Sequence, residues 1–423
     1  KRLPLYEKLI AAAMPRAIVL DAAGATLRQG DLTWEAFLAG APSNAVNKTP
    51  PVIGTPATIT NVLFSSGTTG EPKAIPWTQL TPIKAATDAA YHFDVKTGAV
   101  LGWPTNLGWM MGPWLIYASL LNRATMALYS DAPTGPGFTD FVVAAGVTVL
   151  GLVPSIVKAW RADPRQERLD LSSLTCFGST GEASSTDDYF YLMSRSRYRP
   201  VIEYCGGTEI GGGYVTGTLI QPAAPATFST PALGSDFVIL DEEGRPTDNG
   251  EVFLIPPVLG YSETLLNRDH DEVYFAGTPT GPGGVPLRRH GDQIERLPGG
   301  YFRAHGRVDD TMNLGGIKVS SAEIERVLDG VPGIGRTAAI AVSPPGGGPS
   351  ELVIHAVCKP DAPGREALLP ALQKALKSEL NPLFRISDLV IVDALPVTAS
   401  NKIMRRELRA GYRRTPGDAA TSP

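Results

Sequence analysis

Residues 65–73 read SSGTTGEPK and directly follow the apolar, β-branched run TITNVLF at 58–64. The run has the composition of a buried strand, and the segment after it consists mostly of small and hydroxyl-bearing residues. Small residues let the backbone close around an anion, hydroxyls and amides bind phosphate oxygens, and Lys73 adds a positive charge. The pattern therefore predicts a phosphate-binding loop at the end of a strand.

This loop differs from the common nucleotide-binding fingerprints. It does not fit GxxxxGK[ST], and the chain contains no GxGxxG, HExxH or GxSxG pattern. The alternative interpretation is an ordinary surface loop rich in serine and glycine. The strong compositional bias of the nine residues, together with their place at a strand end, favours phosphate binding.

The bulk composition is that of a multidomain globular protein. The chain has 423 residues, which predicts two or three domains, and 43% of them are hydrophobic. A net charge of −4 without a basic stripe predicts no nucleic-acid partner. Three separated cysteines without a CxxC pair predict neither a disulfide framework nor a zinc site. The longest apolar stretch, 141–157, is broken by glycines and Pro154, so we expect no membrane span, and no signal peptide is visible.

The spacing of apolar runs predicts an α/β fold in three sections. Up to about Phe228, strand-like runs alternate with helical stretches, which indicates parallel or mixed sheets with crossover helices. Residues 228–308 alternate short apolar runs with Gly-containing turns, which is typical of antiparallel hairpins. From Gly306 onwards, a capping-box spacing at Ser320–Glu323 and further strand and helix patterns predict a small α+β unit.

Five further segments, in the same order, complete a family pattern. They are GSTGEA at 178–183, EYCGGTE at 203–209, RHGD at 289–292, GRVDD with NLGGIKV at 306–319, and LPVTASNK at 395–402. Together with 65–73 they resemble the adenylate-forming superfamily of acyl-CoA synthetases, luciferases and peptide-synthetase adenylation domains. The similarity covers 58–406. Residues 203–213 and 303–325 are most similar to its acetyl-CoA-synthetase-like branch, in particular to plant peroxisomal acyl-activating enzymes.

The resemblance implies an AMP-forming acid–thiol ligase. Its substrates would be a small carboxylic acid, ATP and coenzyme A, its metal Mg²⁺, and its intermediate an acyl-adenylate. The implied domains are an AMP-binding domain at 1–308, partial at its N-terminus and with the β-rich subdomain at about 228–308, a mobile C-terminal lid at 309–414, and a flexible tail at 415–423. The alternatives are an acetate–CoA ligase, an adenylation module that loads a carrier protein, and a non-catalytic nucleotide-binding relative.

The resemblance also assigns site residues. It gives catalytic roles to Lys402, Thr208 and Glu209, with Glu209 as the metal ligand, and makes Asp309 the hinge. The residues implied to contact the nucleotide or coenzyme are Ser66, Gly67, Thr68, Thr69, Gly70, Lys73, Gly181, Glu182, Ala183, Glu203, Tyr204, Cys205, Gly206, Gly207, Asp292, Arg307, Gly315, Gly316 and Lys318.

Three positions depart from the family pattern. Asn401 stands where glycine usually precedes the lysine, and His290 stands where threonine is commonest. Gly206 stands where acetate-specific relatives carry a tryptophan that closes the acyl pocket. Its small size predicts an acid larger than acetate, unless Trp109 or Met110 refills the space.

Two expectations concern the chain as a whole. Relatives have a large portion before the phosphate loop, whereas 64 residues precede it here, so we expect an N-terminal truncation. We expect a cytoplasmic protein, with a peroxisomal location as the alternative, since the C-terminus Thr421-Ser422-Pro423 is not of the SKL type. The sequence fixes neither the acid nor the oligomeric state.

Overall fold

The computed structural model describes residues 5–20, 26–40, 53–65, 72–166, 170–181, 184–308, 311–314, 317–342, 350–397 and 403–412. The contact pattern divides the chain into two units, residues 1–55 and 56–423. No helix in these ranges combines the length and the apolar character that crossing a bilayer would require.

The first unit is small. It contains helix α1 (Leu5–Ala11), strands β1 (Ile18–Val19) and β2 (Leu32–Thr33), which pair in parallel, and helix α2 (Trp34–Ala39). The hydroxyl of Thr33 accepts a hydrogen bond from Ala36 N and so caps α2 at its start. Strand β1 lies within the apolar run AIVL at 17–20.

The second unit begins with alternating strands and helices. In chain order these are β3 (Ile59–Ser65), β4 (Lys73–Thr78), α3 (Leu80–His92), β5 (Val100–Gly102), α4 (Met111–Leu121), β6 (Thr125–Ala127), α5 (Pro136–Ala144), β7 (Val149–Leu152), α6 (Pro154–Ala162), β8 (Cys176–Ser179), α7 (Thr186–Arg195), β9 (Val201–Gly207), β10 (Gly212–Thr216) and β11 (Thr230–Pro231). Strands β3 and β4 form an antiparallel pair on either side of the predicted phosphate loop.

The other strands form a seven-stranded sheet in the order β11-β10-β9-β8-β7-β5-β6. Strands β6, β5, β7, β8 and β9 are parallel, β10 runs antiparallel to β9, and β11 runs antiparallel to β10. The two faces of the sheet pack against different helices. On β8, Cys176 packs with residues of α3 and α4, and its neighbour Phe177 packs with residues of α5 to α7. Burial of both faces explains why β5 and β7 consist of apolar residues and glycine. The predicted α/β fold is confirmed.

The predicted hairpin region forms a four-stranded antiparallel sheet. It comprises β12 (Phe237–Leu240), β13 (Asn249–Leu254), β14 (Arg288–Arg296) and β15 (Phe302–Arg307), in that order, with the short helix α8 (His270–Tyr274) between β13 and β14. Its inner face packs against β10 through Ile239, Val252 and Tyr214. This contact places β14 beside the seven-stranded sheet.

The C-terminal part is α+β, as the pattern predicts. Its elements are β16 (Thr311–Leu314), β17 (Ile317–Ser320), α9 (Ser321–Leu328), β18 (Ile334–Val342), β19 (Glu351–Cys358), α10 (Arg365–Glu379), β20 (Ile386–Ile391) and α11 (Arg405–Gly411). The capping box is present, because Ser320 and Glu323 exchange hydrogen bonds at the start of α9. Leucines at 368, 372 and 376 bury one stripe of α10 against the β18-β19-β20 sheet. The boundary at 308/309 stays a prediction.

Candidate active site

The carboxyl ends of β7, β8 and β9 lie side by side in the seven-stranded sheet. The segments at 178–183 and 203–209 begin in β8 and β9 and continue beyond these ends. Residues Thr180, Thr208 and Glu209 therefore follow the same edge of the sheet. That edge is where open α/β sheets bind their ligands. The indole of Trp77 on β4 fixes the turn after β9 by donating to the Thr208 carbonyl at 2.7 Å.

An ion pair joins two of the predicted segments at this edge. Lys73 Nζ donates to Glu209 Oε1 and to the Tyr274 hydroxyl, both at 2.9 Å, and this hydroxyl donates to the same Oε1 at 3.1 Å. The side chains of Lys73 and Glu209 remain 16% and 15% exposed, so a ligand can reach the pair. The structure thus brings together a residue of the phosphate-loop segment and the residue expected to hold the metal.

A second cation, Arg288 on β14, lies beside this pair. Its side chain is fully buried, and its guanidinium carbon lies 3.8 Å from the centre of the Tyr274 ring. None of its three side-chain nitrogens has a hydrogen-bond partner among the described residues. Burial alone would raise the pKa of the Glu209 carboxyl, but the charges of Lys73 and Arg288 hold this pKa well below its usual range.

The sequence analysis missed both Arg288 and Tyr274. Arg288 precedes the predicted site residue Asp292 by four residues, and β14 alternates buried and exposed positions at Arg288, Arg289 and His290. Side chains two positions apart on a strand point to the same face, so Arg288, His290 and Asp292 share one face of β14. This alternation is a signal in the sequence that could have identified Arg288. Tyr274 has no comparable signal, because it comes from the separate helix α8.

Asp292 lies within a cluster of polar side chains. The Tyr214 hydroxyl donates to Asp292 Oδ2 at 3.0 Å, and His290 Nε2 lies 3.1 Å from the same oxygen. The Cys205 thiol donates to it at 3.5 Å. Asp292 also pairs in register with Arg307 of β15, whose side chain lies outside the described set. Cys205 and the backbone of Arg307 are therefore brought to Asp292, and the imidazole of His290 contacts the same carboxylate.

The loop after β8 is anchored to β9. The Thr180 hydroxyl donates to the Tyr204 carbonyl at 2.5 Å, and Gly181 adopts a φ of +89°, which favours glycine. The side chain of Tyr204 lies in the core, where its hydroxyl bonds to Asp88 and Trp114. A nucleotide contact by Tyr204 would therefore involve its main chain.

Glu203 is buried behind the same loop. Its carbonyl accepts hydrogen bonds from the Thr216 hydroxyl at 2.8 Å and from Gly217 N at 3.1 Å, which join the start of β9 to the end of β10. Burial raises the pKa of the Glu203 carboxyl to about 7. Because Glu203 lies on β9 next to β8, its role in this structure is to support the loop that follows β8.

The segment 395–402, which ends in Lys402, and the residues after it are described only on either side of 398–402. Val397 and Ile403 form an isolated antiparallel bridge across 398–402, the residues that include Lys402. Arg405, which follows the bridge, binds Glu325 on α9 with distances of 2.7 and 2.9 Å from Nη2 to the two carboxylate oxygens. This ion pair is nearly buried and fixes α11 to α9.

Several expected site residues lie outside the described residues. They are Ser66, Gly67, Thr68, Thr69, Gly70, Glu182, Ala183, Asp309, Gly315, Gly316 and Lys402. The side chain of Lys318 is not described either, although its backbone lies in β17. The roles of all these residues stay predictions.

Comparison with known families identifies the chain. Residues 8–255 match the AMP-binding enzyme family, and residues 323–402 match its C-terminal domain. The chain belongs to the AMP-binding enzyme family. Within it, a probable acyl-activating enzyme 17, peroxisomal, of Arabidopsis thaliana is 51% identical over 422 residues. A hexanoyl-CoA synthase of Cannabis sativa is 49% identical over 430 residues.

The alignments cover these relatives only in part. Each includes 97% of this chain, but 58% of the Arabidopsis protein and 59% of the Cannabis protein. Among solved structures of the family, the acetoacetyl-CoA synthetase of Streptomyces lividans superposes with a TM-score of 0.79 at 25% identity, over 94% of this chain and 62% of that one. The predicted membership of the adenylate-forming superfamily is confirmed.

Within this family frame, Gly206 has a structural explanation. It pairs with Gly213 of β10, and an added Cβ would lie 1.8 Å from the carbonyl oxygen of Gly212. Any side chain at this position would therefore push the two strands apart. Trp109 lies before α4 with 44% of its surface exposed, and its main chain forms hydrogen bonds with Asn106 and Gly112. The acyl pocket assigned to Gly206 and Trp109 stays a prediction.

The family's magnesium ion can be tested against the residues present. Among the described residues, no group of three His, Cys, Asp or Glu side chains could form a protein-only metal site. Magnesium is usually held by one or two carboxylates together with substrate phosphates. Glu209 fits that mode, because its carboxylate is ionised and partly exposed beside the predicted phosphate loop.

Proposed function

We propose that the intact protein is an acyl-CoA synthetase, which converts a carboxylic acid, ATP and CoA into acyl-CoA, AMP and diphosphate through an acyl-adenylate. The main support is the partly exposed ion pair of Lys73 and Glu209, beside which Arg288 adds a second positive charge. This cluster lies at the edge of the sheet where the predicted segments 178–183 and 203–209 leave β8 and β9. Family membership and the names of the plant relatives agree with this proposal.

In the first half-reaction, a carboxylate oxygen of the acid attacks the α-phosphorus of ATP. A new C–O–P linkage forms, and the bond to diphosphate breaks. Lys73 and Thr208 bind phosphate oxygens, Asp292 accepts hydrogen bonds from the ribose hydroxyls, and Lys402 adds its charge as the lid closes. Glu209 would hold the magnesium ion, whose charge would neutralise part of the polyphosphate charge.

In the second half-reaction, the sulfur of CoA attacks the acyl carbon and AMP leaves with the electron pair of the broken C–O bond. We assign Gly315 and Gly316 to the passage of the pantetheine arm, because glycine allows close approach, and Lys318 to the coenzyme. Asp309 serves as the hinge, and residues 309–414 form the lid that changes position between the two half-reactions.

The acid is larger than acetate in this proposal. The support is that one relative, 49% identical to this chain, is named a hexanoyl-CoA synthase. Turnover of hexanoate, benzoate and acetate by the natural full-length protein tests this point. A clear preference for acetate would contradict it and favour an acetate–CoA ligase.

The compartment follows the relatives in this proposal. Two plant relatives at 51% and 48% identity carry the word peroxisomal in their names, which supports the peroxisomal alternative over the cytoplasmic one. Imaging of the fluorescently labelled full-length protein against a peroxisomal marker tests the assignment.

The decisive experiment concerns Lys402. We expect Lys402→Ala to lower acid-dependent ATP–diphosphate exchange by about 10²-fold or more, because one preorganised charge at the reacting phosphate is lost. Lys377→Ala is the matched control, since Lys377 is an exposed lysine of the same domain. Unchanged exchange in Lys402→Ala would overturn the mechanism. Absence of exchange in the wild-type protein would favour a non-catalytic nucleotide-binding relative, and exchange without CoA-dependent product would favour a carrier-loading module.

A further inference from the structure

Arg288 is an unusual residue for the interior of a protein. Its guanidinium stays charged under all ordinary conditions, and its side chain has no exposed surface. It packs against Tyr274 at 3.8 Å and, more distantly, against Tyr261 at 5.6 Å. Aromatic faces offset part of the cost of desolvation, but they do not replace the hydrogen bonds that water would supply. No such bonds are present among the described residues.

The charges around Arg288 do not balance. Lys73 already binds Glu209 directly, at 2.9 Å, so Arg288 adds a second positive charge to a cluster with one carboxylate. Both cations act on the same carboxylate, since together they lower the pKa of Glu209. The described part of the cluster therefore has a surplus positive charge in a region of low dielectric constant, where a charge acts over a longer range than in water.

We propose that Arg288 is a positioning residue that selects the polyphosphate of ATP. Its surplus charge attracts an anion to the Lys73 side of the cluster, and its contact with Tyr274 orients the phenol that shares Glu209 with Lys73. Because Arg288 is fully buried, it acts through these neighbours and does not touch the nucleotide. This inference rests on the proposed function, since it concerns the same nucleotide site.

The proposal distinguishes ATP and diphosphate from AMP. A surplus charge near the β- and γ-phosphates favours ligands that carry those groups, whereas AMP, bound through adenine and ribose, gains little. Loss of Arg288 should therefore reduce the ratio of ATP affinity to AMP affinity. A purely structural defect would weaken both ligands together.

The experiment is a titration of the natural full-length protein with Mg·ATP, diphosphate and AMP by isothermal calorimetry. We expect Arg288→Met to weaken Mg·ATP and diphosphate on the order of tenfold, because one positive charge is lost from the low-dielectric cluster beside Lys73, and to leave AMP within about twofold. Arg288→Lys keeps the charge and should recover most of the ATP affinity. Arg296→Met is the matched control, because Arg296 lies on the same strand over the Phe302 ring at 5.0 Å but is half exposed.

Denaturant unfolding of each variant accompanies the titrations. Arg288→Met should remain folded, because methionine fills a similar volume and no hydrogen bond is broken. An unchanged ratio of ATP to AMP affinity in folded Arg288→Met would overturn this inference and leave the proposed function intact. An Arg288→Lys variant as weak for ATP as Arg288→Met would also overturn the role of charge. A wild-type protein that binds neither nucleotide would overturn the proposed function and this inference together.

Discussion

Two ion pairs in residues 56–423 have nearly the same geometry but different surroundings. Lys84 and Asp88, one turn apart on α3, are 2.7 Å apart with no exposed side-chain surface. Lys73 and Glu209 come from β4 and from the turn after β9, are 2.9 Å apart, and remain about one-sixth exposed. The first pair is local in sequence and sealed, whereas the second is long-range and open.

The hydrogen bonds around the two pairs differ more than the distances do. Asp88 Oδ2 also accepts from the Tyr204 hydroxyl at 2.5 Å and from Gly213 N at 3.0 Å, and Lys84 donates to the Leu233 carbonyl at 3.0 Å. One cation therefore balances one anion, and each has additional partners. At the second pair, Arg288 adds a cation without hydrogen-bond partners among the described residues.

This difference separates a structural role from a functional one. A balanced, hydrogen-bonded pair connects α3 to β9, β10 and the segment after β11, so its removal should affect folding. An unbalanced cluster at the open edge of the sheet costs stability, and such local costs are typical of ligand sites.

The largest expected effect is on stability, at the sealed pair. Asp88→Ala should lower the free energy of unfolding by about 3–5 kcal/mol, because it leaves Lys84 as a buried charge without its carboxylate. Urea unfolding at neutral pH measures the change. Lys96→Ala is the control, since Lys96 forms an exposed pair with Asp94 and should lose no more than about 1 kcal/mol.

The double variant Lys84→Met/Asp88→Leu tests the cause of that loss. Replacing both charges with apolar side chains removes the isolated cation, so the double variant should be more stable than Asp88→Ala. A loss below about 1 kcal/mol in Asp88→Ala would contradict a structural role for the pair.

The next effect is on activity, at the open pair. Glu209→Gln should lower acid-dependent ATP–diphosphate exchange by about 10²-fold, because the amide cannot replace a carboxylate toward a metal–phosphate complex. Its unfolding free energy should fall less than that of Asp88→Ala, because the Lys73 ammonium can still reach water. Full activity with a large loss of stability would reverse the contrast between the two pairs.

The sequence predicts the architecture well because the fold depends on local patterns. Apolar runs locate the strands of the parallel sheet, and the spacing of Ser320 and Glu323 locates the start of α9, which the structure confirms. Local patterns do not predict the pairing of Lys73 with Glu209, because these residues lie 136 positions apart. Only the family resemblance assigns both residues to one site. Tertiary contacts of this kind carry no periodic signal.

Two details of the site depend on packing that no pattern encodes. The side chain of Tyr204 lies in the core because β9 turns it toward Asp88 and Trp114. Gly206 faces the Gly212 backbone, so its small size is required by strand contact even before any acyl pocket is considered. The residue type of Arg288 gives no signal of its burial, because charged residues are rarely fully buried.

The smallest expected effect concerns a third cluster, in which the cation titrates. His305 on β15 lies 2.9 Å from Glu295 on β14 and 3.4 Å from Glu323 on α9. Burial lowers the pKa of His305, but hydrogen bonds to the two carboxylates raise it more, so its net pKa is raised. Burial opposes ionisation of Glu323 as well, yet His305 and Ser320 lower the pKa of this carboxyl to about 2.

The signs of these shifts define a pH window for the stabilisation. The contribution of protonated His305 is complete below the pKa of an unfolded histidine and is lost as the pH rises through the raised pKa of the folded state. The contribution of Glu323 is present above the ordinary glutamate pKa and is lost as the pH falls toward 2.

We therefore expect His305→Gln to lower the unfolding free energy by up to about 1 kcal/mol near pH 5.5, and by progressively less as the pH rises above the folded-state pKa. Urea unfolding across this range measures the difference. A difference for His305→Gln that does not change with pH would mean that the imidazole acts by packing, and charge balance would then explain only the first two clusters.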